Sequence, residues 1–505
     1  MSLMNEKYIL TCDAGTTGCK ATLISAQGEA VESMIGAYDT IYPQPNWSEQ
    51  DMDVIWQSVV GCIKKLLEKV APQQIAVVGL TGTMNGCIPV DAQGRALYNN
   101  IIHSDSRAWP QLAEIRAVIS DADFYNLTGC RLDHHYMLPK ILWLRAERPE
   151  IYKKAVKFLN TKDLIHGRLT GCYDSTDASD ASLTIAIDVN RGCWAQDLLR
   201  DLGLDAGCMA RIRPGHDVSD RVSHEAAALT GLLEGTPVAV GGGDGSCAAR
   251  GAGLAKSGDA YCYIGSSAWV SQMTDRPLLD DKARVFNYLD MDGKSYLTCG
   301  TVQCGASAYN WALENILREA DFAKVEAMAR EIAPGAEGVL FLPTLMGERT
   351  PYWDPNTRGS LVGFSLYHDR RHIARAVYEG VAFALTTCAK VMEECGYPVQ
   401  SLMITGGGAK SGLWPQLLAS MCGVETRVHA AAGEATSLGA AIAAGVGAGI
   451  FADYAEAAKK VRAKAHFAPD AAQQAAYEKI YPVYAEIYGR MKPIFDEIAL
   501  SGRFS

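Results

Sequence analysis

The chain has 505 residues, of which 48% are hydrophobic and 21% charged, and a formal net charge of −10. This length exceeds one ordinary core and predicts two large domains or three smaller ones. The acidic balance argues against wholesale binding to nucleic acid or to an anionic membrane, and an anionic ligand needs a local positive pocket against that background.

From the N-terminus, Tyr8–Cys12 reads as a strand that breaks into Asp13-Ala14-Gly15-Thr16-Thr17-Gly18, with Lys20 just beyond. Ala21–Ser25 reads as the return strand, and Gln27-Gly28 as the next turn. Small hydroxyl residues and glycine at a strand end expose backbone amides that can hold an anion. Asp at that strand end can hold Mg²⁺ through water, because magnesium dehydrates reluctantly and takes few carboxylates. Asp53 is expected to cap a helix whose apolar positions are Ile55, Trp56, Val59, Val60, Ile63, Leu66 and Leu67. The β-branched run Ile75–Leu80 follows and is broken by Thr81-Gly82-Thr83-Met84-Asn85-Gly86. Strands alternating with helices predict an α/β architecture. Residues 131–170 read as mostly helical, with Pro139 opening one helix.

Val238-Ala239-Val240 runs into Gly241-Gly242-Gly243-Asp244-Gly245, which puts one carboxylate at a glycine turn. The domain boundary is expected near residue 255, giving domains 1–254 and 255–505. Tyr261–Ile264 followed by Gly265-Ser266-Ser267 repeats the opening construction, and two such turns suggest a duplicated architecture with phosphate between the halves. Ser401–Thr405 enters Gly406-Gly407-Gly408-Ala409. Ser411 is expected to cap the next helix and Gly423 to end it. Leu438–Ile450 is apolar but short for a membrane span and predicts a buried helix. The last forty residues read as an amphipathic helix. The 15 cysteines form no CxxC pair and read as reduced buried thiols. With no signal-peptide pattern, a soluble cytoplasmic protein is expected. No segment matches a Walker A loop or the dinucleotide fingerprint.

Taken together and in this order, these motifs resemble the FGGY family of carbohydrate kinases over essentially the whole chain. The resemblance runs through the opening turn, Tyr136–Trp143, the Gly-Gly-Gly-Asp turn, Gly265-Ser266-Ser267 and Gly406–Ser411. Its most specific block is Phe341-Leu342-Pro343-Thr344-Leu345-Met346-Gly347-Glu348-Arg349-Thr350-Pro351, followed by Asp354-Pro355, Arg358-Gly359 and Arg375–Gly380. This block and Trp47-Ser48-Glu49-Gln50-Asp51 are similar to the xylulokinase and gluconokinase branch.

The resemblance implies two domains of the ribonuclease-H-like, actin-like ATPase type with the active site in the interdomain cleft. It implies Asp244 as catalytic base, and Asp13 and Asp244 as the residues that hold Mg²⁺. Asp13, Gly15, Thr16, Thr17 and Lys20 match the first phosphate turn, and Gly265 and Ser266 the second. Gly407, Gly408 and Ala409 match the adenosine turn. Met84, Asn85, His103, Asp105 and Asp244 match the sugar pocket, with Asp105 expected to accept hydrogen bonds from sugar hydroxyls.

Three positions depart from the usual xylulokinase pattern. These are Asn85 where His is common, His103-Ser104-Asp105 where Trp-Asn-Asp is common, and Gly245 where Asn often follows the base. The expected activity is ATP-dependent phosphorylation of a terminal hydroxyl of a small open-chain sugar, with D-xylulose favoured over another ketose, a polyol or gluconate. The expected partners are sugar and ATP, with no nucleic acid, no membrane and a homodimer allowed. The alternative of another class is a catalytically silent nucleotide-dependent sugar sensor.

Overall fold

The computed structural model describes residues 7–501. It contains two seven-stranded mixed sheets built on the same plan. In the first, Tyr8–Ala14 pairs antiparallel with Gly18–Ser25, which pairs antiparallel with Ala30–Ala37, while Ile75–Gly82 lies parallel on the other side of Tyr8–Ala14. In the second, Asp259–Ile264 pairs antiparallel with Ala268–Thr274, which pairs antiparallel with Tyr296–Val302, while Ser401–Thr405 lies parallel on its other side. The duplication expected from the two turns is therefore a duplication of hairpin plus parallel strand.

Strand Tyr8–Ala14 is almost continuously buried because both faces of its sheet are covered. Tyr8, Leu10, Cys12 and Ala14 pack with Ile55, Val59 and Ile63 of helix Met52–Leu67. Ile9 points the other way, with Ile24 and Val77, onto Leu438, Ala441 and Ile442 of helix Ala435–Gly447. The period of two along the strand thus divides one segment between two cores. Each fully buried Leu or Ile there contributes about 1.5–3 kcal/mol.

Helix Met52–Leu67 starts one step earlier than expected. Asp51, not Asp53, caps it, its Oδ1 accepting from the amides of Asp53 at 2.8 Å and Val54 at 3.4 Å. The capping residue must have extended backbone, and Asp51 has φ −80° and ψ 116°. The stretch 131–170 is also more divided than expected. Helices Met137–Glu147 and Thr161–Thr170 are separated by the short helix Pro149–Tyr152 and strand Lys157–Leu159. Ser411 behaves as expected, its Oγ accepting from the amides of Leu413 and Trp414, and Gly423 ends helix Leu413–Cys422 at φ +69°. The long C-terminal helix spans Ala471–Leu500.

The two halves interlock more than a boundary near residue 255 suggests. Helix Ala435–Gly447 belongs to the second half in sequence but covers the first sheet and lies directly against helix Asp244–Gly251. An added Cβ at Gly251 would sit 1.7 Å from the Ala435 carbonyl oxygen, and one at Gly439 1.8 Å from that of Cys247. Only glycine permits so close a backbone contact. Arg250, on the same short helix, reaches the second half through Asp290 (2.6 Å) and Asp292 (2.6 Å). No helix among the described residues is long and apolar enough to cross a membrane.

Candidate active site

The chemistry-bearing residues collect where parallel strands end. Asp13 lies opposite Thr81, and Thr81 lies opposite Gly242, which precedes Asp244 by two residues. Asp13 and Gly242 therefore lie on strands on either side of Ile75–Gly82, about 10 Å apart across two strand spacings, and Asp244 follows just beyond the strand end. Ligands of open α/β sheets bind at this carboxyl end of the strands.

Asp244 is the first residue of helix Asp244–Gly251, and its place is fixed from behind. The Gly243 amide donates to Ser179 Oγ at 3.0 Å, and the Ser179 amide donates to Asp177 Oδ2 at 2.8 Å. Asp177 belongs to a buried cluster in which Lys162 Nζ meets Asp163 (2.6 Å), Asp177 (3.1 Å) and Asp180 (3.3 Å). Burial, reinforced by the neighbouring charge of Asp13, pushes the Asp244 carboxyl up to about 7. Burial also pushes Asp13 up to about 6, with Lys20 opposing and Glu434 adding to the rise. Two carboxyls raised together are short of positive charge. Asp13 in addition makes no side-chain hydrogen bond or ion pair among the described residues. This donor set fits a hydrated magnesium ion, which takes few carboxylates and keeps its own water.

The first turn presents donors outward. Its carbonyls are taken up internally: Gly15 by Tyr38 Oη (2.7 Å), Thr16 by Gln50 Nε2 (2.8 Å), Thr17 by the Tyr38 amide (3.2 Å) and Gly18 by the Gly15 amide (3.0 Å). The amides of Thr16 and Thr17 donate to no protein acceptor among the described residues, so the turn is donor-rich. The second turn repeats the arrangement. Gly265 N donates to Ser267 O at 3.0 Å, and Ser266 O accepts from Gly305 N, Ser307 N and Ser307 Oγ. Ser266 and Ser267 are exposed. Gly406, at φ +77°, turns the chain after Thr405, which lies opposite Tyr263. Gly407, Gly408 and Ala409 thus stand beside the Gly265 turn at the end of the second sheet. Lys20 ties the two halves near these turns, through Gly433 O at 3.0 Å and a carboxylate oxygen of Glu434.

The expected sugar-pocket residues divide. Met84 lies against the glycines that flank Asp244, since an added Cβ would meet Met84 Cε at 2.5 Å from Gly243 and Met84 Sδ at 3.5 Å from Gly245. Asn85 sits at φ +65°, a conformation Asn tolerates, and its Oδ1 is buried with no hydrogen-bond partner among the described residues. His103 is half-buried. Burial, with the charges of Lys140, His135 and Arg349, pulls it down to about 4.

Asp105 is in a different position from the one expected. It has no exposed surface, and its two oxygens accept from the Ser48 amide (2.6 Å), the Arg107 amide (2.9 Å), Arg107 Nε (2.9 Å) and Arg107 Nη2 (2.7 Å). An ionised carboxylate has about four lone-pair sites, and these donors fill them. Arg107 in turn meets Glu49 at 2.8 Å and lies 3.7 Å from the Trp47 ring centroid. Asp105 here organises a loop and has no free acceptor for a ligand.

Two further groups, to which sequence reasoning gave no role, gather at the same place. Buried Lys140 donates to the carbonyls of Asn85 (2.6 Å), Ile102 (2.9 Å) and His135 (2.7 Å), which ties three loops together. Burial pulls its pKa down to about 7, yet three acceptors call on all three ammonium protons. Arg349 is exposed, has no ion-pair partner among the described residues, and acts electrostatically on His103 and Tyr136 from the second half. His135 Nδ1 meets Asp133 Oδ1 at 2.5 Å, and the His134 and His135 rings lie 3.9 Å apart. A cue was present in both cases: a lysine inside an apolar helix start, and an arginine within the most specific sequence block.

Comparison with known proteins agrees with this geometry. Residues 8–251 match the model of the FGGY family of carbohydrate kinases, N-terminal domain, and residues 260–448 that of the C-terminal domain. The chain is 31% identical over 494 residues to a protein named xylulose kinase from Bacillus subtilis (strain 168), covering 97% of this chain and 98% of that one. Two solved structures from Lactobacillus acidophilus, described as gluconate kinase and as ligand-bound xylulose kinase, each superpose with a TM-score of 0.91 at 28% identity. The first covers 98% of this chain and 100% of its own, the second 97% and 100%. The expected two-domain, actin-like architecture is the one observed.

Proposed function

Since the chain belongs to the FGGY family of carbohydrate kinases, we propose that it transfers the terminal phosphoryl group of ATP to a terminal hydroxyl of an open-chain sugar, D-xylulose being favoured. The observation that carries this reading is the pair of carboxyls, Asp13 and Asp244, at the ends of strands flanking Ile75–Gly82 beside a donor-rich turn. Asp244 accepts the proton of the attacking hydroxyl as its oxygen bonds to phosphorus and the bond to the leaving ADP oxygen breaks. A carboxyl poised near 7 suits a general base at neutral pH. Asp13 and Asp244 are the residues that would hold magnesium, which would supply positive charge to the phosphates when bound. The free amides of Thr16 and Thr17, with Ser266 across the cleft, meet charge on the transferred group, and Gly407, Gly408 and Ala409 take the adenosine side. Such catalysis is mainly positioning and electrostatics.

Met84, Asn85 and His103 remain the proposed sugar contacts, and the unpartnered Oδ1 of Asn85 is an acceptor suited to a sugar hydroxyl. Asp105 no longer supports a neutral sugar over an acid. The guanidinium of Arg349, without an ion-pair partner among the described residues and acting electrostatically on His103, favours a second reading, gluconate, whose carboxylate it would match.

A coupled ADP-release assay with pentuloses, hexuloses, polyols and gluconate tests both readings. D-xylulose is expected to give the highest kcat/KM. A preference for gluconate that is lost in Arg349→Gln selects the second reading. ADP release unaffected by any sugar removes the kinase reading and leaves a nucleotide-dependent sensor.

A further inference from the structure

Lys20 has two carboxylates to choose between. On the antiparallel hairpin it lies directly opposite Asp13. Facing residues of this kind are natural ion-pair partners. Its ammonium nevertheless goes to Glu434 and Gly433 O, more than 400 residues further along the chain. Both side chains of the pair are about three-quarters buried, at 22% and 25% exposure.

Glu434 is well anchored for this task. It immediately precedes helix Ala435–Gly447, whose apolar face is packed against Ile9, Ile24 and Val77 of the first sheet. Among the described residues its second oxygen is buried with no hydrogen-bond partner, and Lys20 is the one cation paired with this carboxylate. Asp13, the partner not taken, has no ion pair at all among the described residues.

We propose that Glu434 is a positioning residue that holds Lys20 away from Asp13, leaving the Asp13 carboxylate free to face a hydrated cation. The proposal rests on the reading of Asp13 given above. Without Glu434, the nearest anion for Lys20 is Asp13, and the two should close into an ion pair across the hairpin. Removing Lys20 as well should set Asp13 free again.

Calorimetric titration with ADP, in Mg²⁺ and in EDTA, measures the gain in affinity that Mg²⁺ confers, without turnover. Glu434→Gln should lower that gain about tenfold or more, the scale of one hydrogen bond to a charged group. Lys20→Gln should weaken ADP binding under both conditions yet keep the gain. The double variant should recover the gain that Glu434→Gln loses, which a merely structural role for Glu434 does not explain. Circular dichroism and Tm check that each variant is folded. Should Glu434→Gln be unstable, Lys20→Gln still decides, because loss of the gain there overturns the proposal. Retention of the full gain in Glu434→Gln, or a double variant as poor as Glu434→Gln, also overturns it. A parent protein that binds ADP under neither condition sinks the kinase reading itself.

Discussion

Asp105→Asn separates a loop-organising role from a sugar-binding one. The substitution keeps the shape but replaces one acceptor oxygen by an NH₂ that confronts donors from Arg107 or Ser48. Breaking a buried ion pair from one side costs about 3–5 kcal/mol. Arg107 keeps Glu49 at 2.8 Å and its place over Trp47, so the low end of that range is expected. Against a typical stability of about 5–15 kcal/mol, this is a large fraction. Urea denaturation followed by tryptophan fluorescence suits the test, because Arg107 packs on Trp47 and Trp143. The variant's midpoint should fall clearly, while the KM for the best sugar in the folded enzyme changes by less than about threefold. A parent-like midpoint with KM raised about tenfold, or about 1.4 kcal/mol of lost binding, would place Asp105 on the sugar and refute the argument.

Asp244→Asn should lower kcat by about 10²–10⁴ with ADP binding in EDTA retained, and turnover close to the parent's would remove the assigned base. The log of kcat/KM should rise with pH through about 7, because Asp244 must be ionised to accept a proton and its pKa lies there. Buried Glu348, which accepts from the amides of Gln303 and Arg349, is pushed by burial from 4.5 up to about 7. The folded form then binds more protons than the unfolded one across that window, so stability falls as pH rises through it. Urea midpoints across the same window should decline more steeply for the parent than for Glu348→Gln, and parallel curves would be the contrary result.

Much of the candidate site is built from local segments and is therefore legible along the chain. The two strand–turn–strand units, the glycine turn before Asp244 and the strand leading to Gly406 each depend on neighbours in sequence: apolar alternation, small hydroxyl residues and glycine where backbone must turn. The family resemblance then ordered these pieces. Which carboxylate stays free was a matter for packing. Asp13 and Asp105 look equally available as letters, but Arg107 and Ser48 close around Asp105, while Lys20 is drawn from Asp13 to Glu434. Lys140 stands out in sequence as a lysine at an apolar helix start, but which three loops it joins, those of Asn85, Ile102 and His135, is set only by the fold. Helix Ala435–Gly447 was legible as buried, but not as the cover of strands Tyr8–Ala14 and Ile75–Gly82, more than 350 residues earlier. Such partners are selected by complementary surfaces and by the cost of burying an unpaired charge, and both depend on elements that meet only in the folded chain.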